Sequence, residues 1–220
     1  MRNVLLTLLF VAPLAHAKQV EPPAPPSWKC GDAVSEQYST ANTALTAGKN
    51  DEAIPAFDAV LAKEPQCGLA LLGSGRARLA AGKASEALTP LTSAASLFAD
   101  KLEAHIWLGR ARFAAGDDDG AVAAARAAIA LKPSSVDAQR IAQDALLHKK
   151  DLVEARKMIE AARAASNVVT WNCLEGFLTV AEGNAARANE LLVACEGVPD
   201  RSVYDALAAQ VAKMPAATTP

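Results

Sequence analysis

The chain has 220 residues, with 22 Lys and Arg against 24 Asp and Glu for a formal net charge of −2, and only 5% aromatic residues. A mildly acidic chain without a basic stripe lacks the electrostatic footprint that holds a phosphate backbone, so nucleic acid is not expected as a partner. The scarcity of aromatic and β-branched clusters joined by hairpin turns argues against β-structure, and the length suffices for one domain with a sizeable core.

Residues 1–17 read as a secretory leader. Arg2 precedes an apolar run from Val4 to Leu14, and Ala15-His16-Ala17 has the small-x-small form at which leaders are cleaved. The run is too short to cross a hydrocarbon core of about 30 Å, so it is not read as a retained span. The mature chain is expected to start at Lys18, exported to the periplasm or beyond, its net charge moved from −2 to −3 by the loss of Arg2. Residues 18–33 are a lead-in. The stretch "KQVEPPAPPSW" holds four prolines in eleven residues, a composition that extends as a tether and builds no core. Cys30, Cys67, Cys173 and Cys195 form an even set in an exported chain, and no C-x2-C pair offers zinc ligands, so two disulfides and no metal are expected.

From residue 34 a helical period takes over and repeats. "GRARLAAG" (75–82) returns as "GRARFAAG" (109–116), 34 residues later. Five times a Gly or Lys precedes a short polar turn and then an alanine: Gly48 and Ala53, Gly82 and Ala87, Gly116 and Ala121, Lys150 and Ala155, Gly183 and Ala188. A further small residue stands earlier in most units (Ala41, Gly75, Gly109, Gly176), with Gln143 as the exception, and Val60, Ala94, Ala128, Ala162 and Cys195 come late. Small side chains at these places let antiparallel helices approach closely, while Phe57, Leu91 and Ile159 fill the space between them. Asp51, Ser85 and the Asp117-Asp118-Asp119 run are expected to cap second helices; the three aspartates lack the alternation and distal Glu of a calcium loop. Pro55 and Pro90 fall early in second helices and are expected to disturb them. Residues 201–214 are read as a capping helix and 215–220 as a disordered tail.

No catalytic constellation emerges. His105 and His148 are too far apart for a helical metal pair, Gly73-Ser74-Gly75 sits within a helix rather than after a strand, and there is neither a G-x-S-x-G elbow nor an H-E-x-x-H motif. No enzyme activity and no cofactor are expected.

The 34-residue period, together with "AGKNDEAIPAFDAVLAKEP" (47–65) and "WLGRARFAAGDDDGAVAAARAAIALKP" (107–133), resembles the tetratricopeptide repeat family, over residues 34–200. The resemblance implies an all-α, right-handed superhelical solenoid of about five helical hairpins plus the C-terminal cap. In such hairpins Cys173 and Cys195 lie at one height, while Cys30 precedes the first hairpin and Cys67 opens the second, so Cys173–Cys195 and Cys30–Cys67 are the expected pairs. The resemblance also implies that the first helices line a concave groove that binds a protein or peptide segment. Mapped onto this chain, the groove residues are Tyr38, Asn42, Leu72, Arg76, Ile106, Arg110, Phe113, Arg140 and Asp144. Arg78 and Arg112 are expected to turn away to the solvated surface, with their stems on neighbouring helices. The basic and amide set with which some members clamp a terminal carboxylate is not reproduced, since Glu103 and Trp107 stand there. The implied function is an exported interaction scaffold or adaptor. An accessory factor for envelope assembly, an enzyme or a secretion complex is the alternative, and a degenerate catalytic module the remotest one.

Overall fold

The computed structural model describes residues 25–166 and 168–215. The leader reading of residues 1–17, the start of the lead-in and the tail beyond Pro215 lie outside the described residues. A short 3-10 turn, Asp32–Val34, opens onto eleven α-helices: α1 Ser35–Thr46, α2 Asn50–Lys63, α3 Gly68–Ala80, α4 Ala84–Leu97, α5 Leu102–Ala114, α6 Asp118–Leu131, α7 Val136–His148, α8 Leu152–Ala165, α9 Thr170–Ala181, α10 Ala185–Ala194 and α11 Arg201–Val211. Each helix packs on its neighbours in the chain, and the first helices α1, α3, α5, α7 and α9 also pack on one another in a row. Among the described residues the second helices form no comparable row, so the stack closes on the first-helix side and opens on the other. The fold is an all-α repeat solenoid.

The period has a direct physical origin. Ala53, Ala87, Ala121, Ala155 and Ala188 are all 0% exposed, and Val60, Ala94, Ala128, Ala162 and Cys195 are buried beside them. Gly75 and Gly109 answer the repeated phrase: a β-carbon on Gly75 would run into the Leu91 side chain, and one on Gly109 would lie 3.1 Å from Ile141 Cγ2. At the looser fourth unit Gln143 is buried instead, donating from Nε2 to the Leu174 carbonyl on α9 while its Oε1 finds no partner among the described residues.

The hairpin turns share one geometry. Gly48, Gly82, Gly116 and Gly183 have φ between 73° and 79°, and Lys150 takes φ 60° at the equivalent place. The residue that follows each of them donates its N–H to the carbonyl five residues back, for example Lys83 to Arg78 at 2.8 Å and Asp151 to Leu146 at 2.9 Å, which closes the first helix. The caps differ from expectation in two hairpins. Helices α2 and α4 begin after Lys49 and Lys83, which make no side-chain cap bond, so Asp51 and Ser85 fall inside the first turn. Asp117, Asp151 and Asn184 do cap, accepting from the N–H groups of Gly120, Glu154 and Arg187. Helices α2 and α4 run unbroken through Pro55 and Pro90.

Both cysteine pairs form as expected, Cys30–Cys67 and Cys173–Cys195, with Cα–Cα separations of 5.0 and 5.1 Å. The tether reading fails for residues 25–31, which lie against the joint between α2 and α3, because Trp28 finds an aromatic partner in Phe98 and Cys30 is bonded to Cys67. At the far end α11 packs on α9 and α10, where Val203, Leu207 and Val211 cover Cys173, Ala188 and Cys195.

Candidate partner-binding groove

The first helices bring a row of charged and aromatic side chains onto the closed side of the stack. Trp107 of α5 lies at its centre, with the Arg76 guanidinium carbon 4.9 Å from its ring centroid and that of Arg110 4.6 Å away. One indole thus serves two cations from adjacent hairpins, an attraction that grows as the groups are desolvated. The arginines differ in their other contacts. Arg110 donates to Asp137 Oδ1 at 2.6 Å, an ion pair that crosses from α5 to α7. Arg76 enters no ion pair among the described residues, and its Nε is buried without a hydrogen-bond partner. Its charge acts on Tyr38 of α1, whose phenol is held above the ordinary range by burial and pulled partly back by Arg76.

Beyond the stack, Arg110, Phe113, Asp137, Arg140, Ile141 and Asp144 line a depression of about 280 Å³. A second hollow of about 190 Å³ shares Arg140 and Asp144 and reaches Phe177 of α9 and Val203 of α11. Burial raises the Asp144 carboxyl above the usual range, and Arg140, 3.8 Å away, offsets only part of that. Along consecutive helices the groove thus carries a cation with no ion-pair partner among the described residues, an aromatic plate, an ion pair and a partly shielded carboxyl.

Of the residues mapped from sequence, Arg110, Phe113, Arg140 and Asp144 gather around one depression, and Arg76 joins them through Trp107. Tyr38 and Asn42 stand half-buried at the α1 end. Leu72 and Ile106 are corrected: at 6% and 8% exposure they are closed into the packing, Leu72 among Leu71, Ala87 and Leu91, and Ile106 among Val122 and Ile141. They support the groove floor and present little surface. Trp107 and Asp137 were not among the mapped residues. Trp107 stands one helical turn before Arg110 and so shares its face, a signal present in the sequence; Asp137 lies in another hairpin and gives none.

Arg78 and Arg112 also depart from expectation. Arg78 Nη2 donates to both carboxylate oxygens of Asp58 on α2, at 2.8 and 2.9 Å, and its side chain is only 15% exposed. Arg112 donates to the Gly120 carbonyl at 3.1 Å and lies 3.8 Å from Asp117. Both sit where the helices join rather than on a solvated face. The remaining aspartates of the acidic run are paired as well, Asp118 with His148 and Asp119 with Lys149.

The tetratricopeptide repeat pattern matches this chain three times, over residues 38–100, 74–136 and 108–168. Solved structures share the fold. A thermophilic tetratricopeptide protein of Thermus thermophilus is 17% identical with a TM-score of 0.61, the match covering 80% of this chain and 98% of that one. A tetratricopeptide protein of Parabacteroides merdae is 17% identical with a TM-score of 0.67, covering 82% and 73%. YrrB, described as a tetratricopeptide protein with an unusual peptide-binding site, is 17% identical with a TM-score of 0.59, covering 80% and 96%. No curated protein matches the sequence. Overlapping matches from residue 38 to residue 168 take in more than half of the chain, and the buried alanines and left-handed turns supply the physical reason for the pattern: the chain belongs to the tetratricopeptide repeat family.

Proposed function

We propose that this protein is an exported adaptor or scaffold that holds an extended segment of a partner protein in the groove formed by its first helices. The observation that carries this reading is the Arg76–Trp107–Arg110 stack, in which Arg76 is pre-positioned on an aromatic plate and has no carboxylate of its own among the described residues. The segment it suits carries an acidic residue for Arg76, flanked by apolar side chains for Phe113 and the adjoining hollow. A charge-assisted hydrogen bond made there is worth roughly 1.5 to 3 kcal/mol. YrrB, which shares the fold, is described as having an unusual peptide-binding site, which supports a peptide as the kind of ligand. Export rests on the leader pattern of residues 1–17 and is supported by two paired cysteines, which persist where the surroundings are oxidising.

The test is photo-crosslinking from position 113 in intact cells, with the adducts identified by mass spectrometry. A discrete partner whose crosslink disappears in the Arg76→Ala variant supports the reading. The same adducts at equal yield in that variant would remove the groove from the function. Mass spectrometry of the same material should find Lys18 at the amino terminus; a retained Met1 would overturn the exported assignment.

A further inference from the structure

Residues 25–31 form a strap over the joint between the first two hairpins. Helix α3 starts after Cys67 without a side-chain cap, and the strap supplies the missing acceptors from its backbone: Gly68 donates to the Ser27 carbonyl at 2.8 Å and Leu69 to the Trp28 carbonyl at 2.9 Å. The Ser27 N–H returns a bond to the Gln66 carbonyl at 3.3 Å, and the Gly31 N–H one to Glu64 Oε2 at 2.8 Å. Trp28 lies edge-on to Phe98, with ring centroids 5.3 Å apart, so the strap also reaches the joint between α4 and α5. Gly68 is the platform for this contact: a β-carbon there would sit 2.5 Å from Trp28 Cε3 and 2.8 Å from Phe98 Cε2.

A few backbone hydrogen bonds and one indole stand against the ordering of seven residues, and contributions of these kinds are similar in size. The Cys30–Cys67 bond therefore decides whether the strap stays down. The two disulfides differ in access. Cys30 is half-buried and Cys67 is 2% exposed, whereas Cys173 and Cys195 are both 0% exposed beneath α11. Cys30 is the one residue of the four that is not buried, so the Cys30–Cys67 pair is the one a reductant approaches without opening a hairpin.

We infer that the strap is a redox-released latch. The thiolate of a dithiol reductant attacks Cys30 Sγ, the bond to Cys67 Sγ breaks, and Cys67 leaves as a thiolate that takes up a proton. The second thiol of the reductant then displaces Cys30 from the mixed disulfide. Two electrons and two protons pass to the cysteine pair, and the reductant leaves as its own disulfide. Release frees residues 25–31, about 25 Å of added reach when extended, and uncovers Phe98 and the first N–H groups of α3, while α5 to α11 keep their packing. The inference does not depend on what the groove binds.

The test uses the native protein titrated with dithiothreitol at neutral pH. Free thiols are trapped by alkylation and assigned by peptide mapping, and amide hydrogen exchange is followed in parallel. Cys30 and Cys67 are expected to become alkylated at least tenfold faster than Cys173 and Cys195. The Gly68 and Leu69 amides should then exchange at least tenfold faster, with the amides of α5 to α8 unchanged. Both disulfides opening together would overturn the proposal, and so would Gly68 and Leu69 amides that stay protected once Cys30–Cys67 is open.

Discussion

Arg78 and Asp58 face each other across the joint between α3 and α2, with one guanidinium nitrogen shared between the two carboxylate oxygens and Ser74 beneath them at 1% exposure. The pair ties the first hairpin to the second from the side opposite the groove. Arg78→Ala should cost about 1 to 2 kcal/mol, because it removes a charge-assisted bond whose arginine is mostly buried while leaving Asp58 able to reach water. Arg112→Ala, with longer contacts at 3.1 and 3.8 Å, should cost less. Chemical denaturation of the two variants checks the order, and an Arg112 variant that loses more would refute it.

Lys150 holds a left-handed conformation where the other four hairpins use glycine. A side chain there costs roughly 1 to 2 kcal/mol, of which the extra unfolded-state freedom of glycine takes back about half. Lys150→Gly should therefore raise stability by about 0.5 to 1 kcal/mol. The reverse change, Gly116→Lys, should lower it by a similar amount. Thermal melts of both variants decide the matter, and a destabilised Lys150→Gly would sink the idea.

Asp144 gives a pH signature. Its carboxyl is raised by burial, so the folded state holds that proton more tightly than the unfolded chain does. As pH rises from the ordinary carboxylate value the unfolded state ionises first, and the penalty grows until the folded-state value is passed. Asp144→Asn should thus melt higher than the parent at neutral pH, with the advantage fading as the pH falls towards 3.8, the ordinary value. An advantage that is constant with pH would show that the charge is not its source.

In the groove, Arg76→Ala should weaken capture of the crosslinked segment about tenfold, equal to about 1.4 kcal/mol, and shift folding by less than about 0.5 kcal/mol. Trp107→Leu should weaken binding similarly, since it removes the plate under both guanidinium groups. Lys157, exposed on α8, is the appropriate control, because Arg78 and Arg112 both carry structural contacts. Binding measured by isothermal calorimetry with the identified segment provides the comparison. Equal losses for Lys157→Ala and Arg76→Ala would argue against a specific site.

The fold was legible because its packing is written at a fixed interval. The five repeat-position alanines, Ala53, Ala87, Ala121, Ala155 and Ala188, are small for the same reason, and a reader of one hairpin has read the next. Half of the groove was legible for a related reason: residues one turn apart on a first helix share a face, which places Arg110 and Phe113 together. What could not be read was anything that crosses between hairpins without a periodic counterpart. The Arg78–Asp58 and Arg110–Asp137 pairs span 20 and 27 residues, and nothing local announces either. Leu72 and Ile106 take their expected place from their position on the helix, but the close approach allowed by Gly75 and Gly109 draws that side of the helix into the core. Trp28 has proline-rich neighbours that suggest a tether, whereas its own ring decides where the segment goes.

The positions of the two disulfides carry a consequence for how the molecule comes apart. In a stack held by nearest-neighbour contacts, the end units have one neighbour each and are the first to fray. Here one covalent staple joins the strap to the start of the second hairpin, and the other closes the last hairpin beneath α11. Unzipping of the hairpins from either end is opposed by a covalent tie, and only α11 beyond Cys195 is left to packing alone. The weakest seam is then expected further in, at the fourth unit, where the Gln143 oxygen has no partner among the described residues and Lys150 holds the left-handed turn.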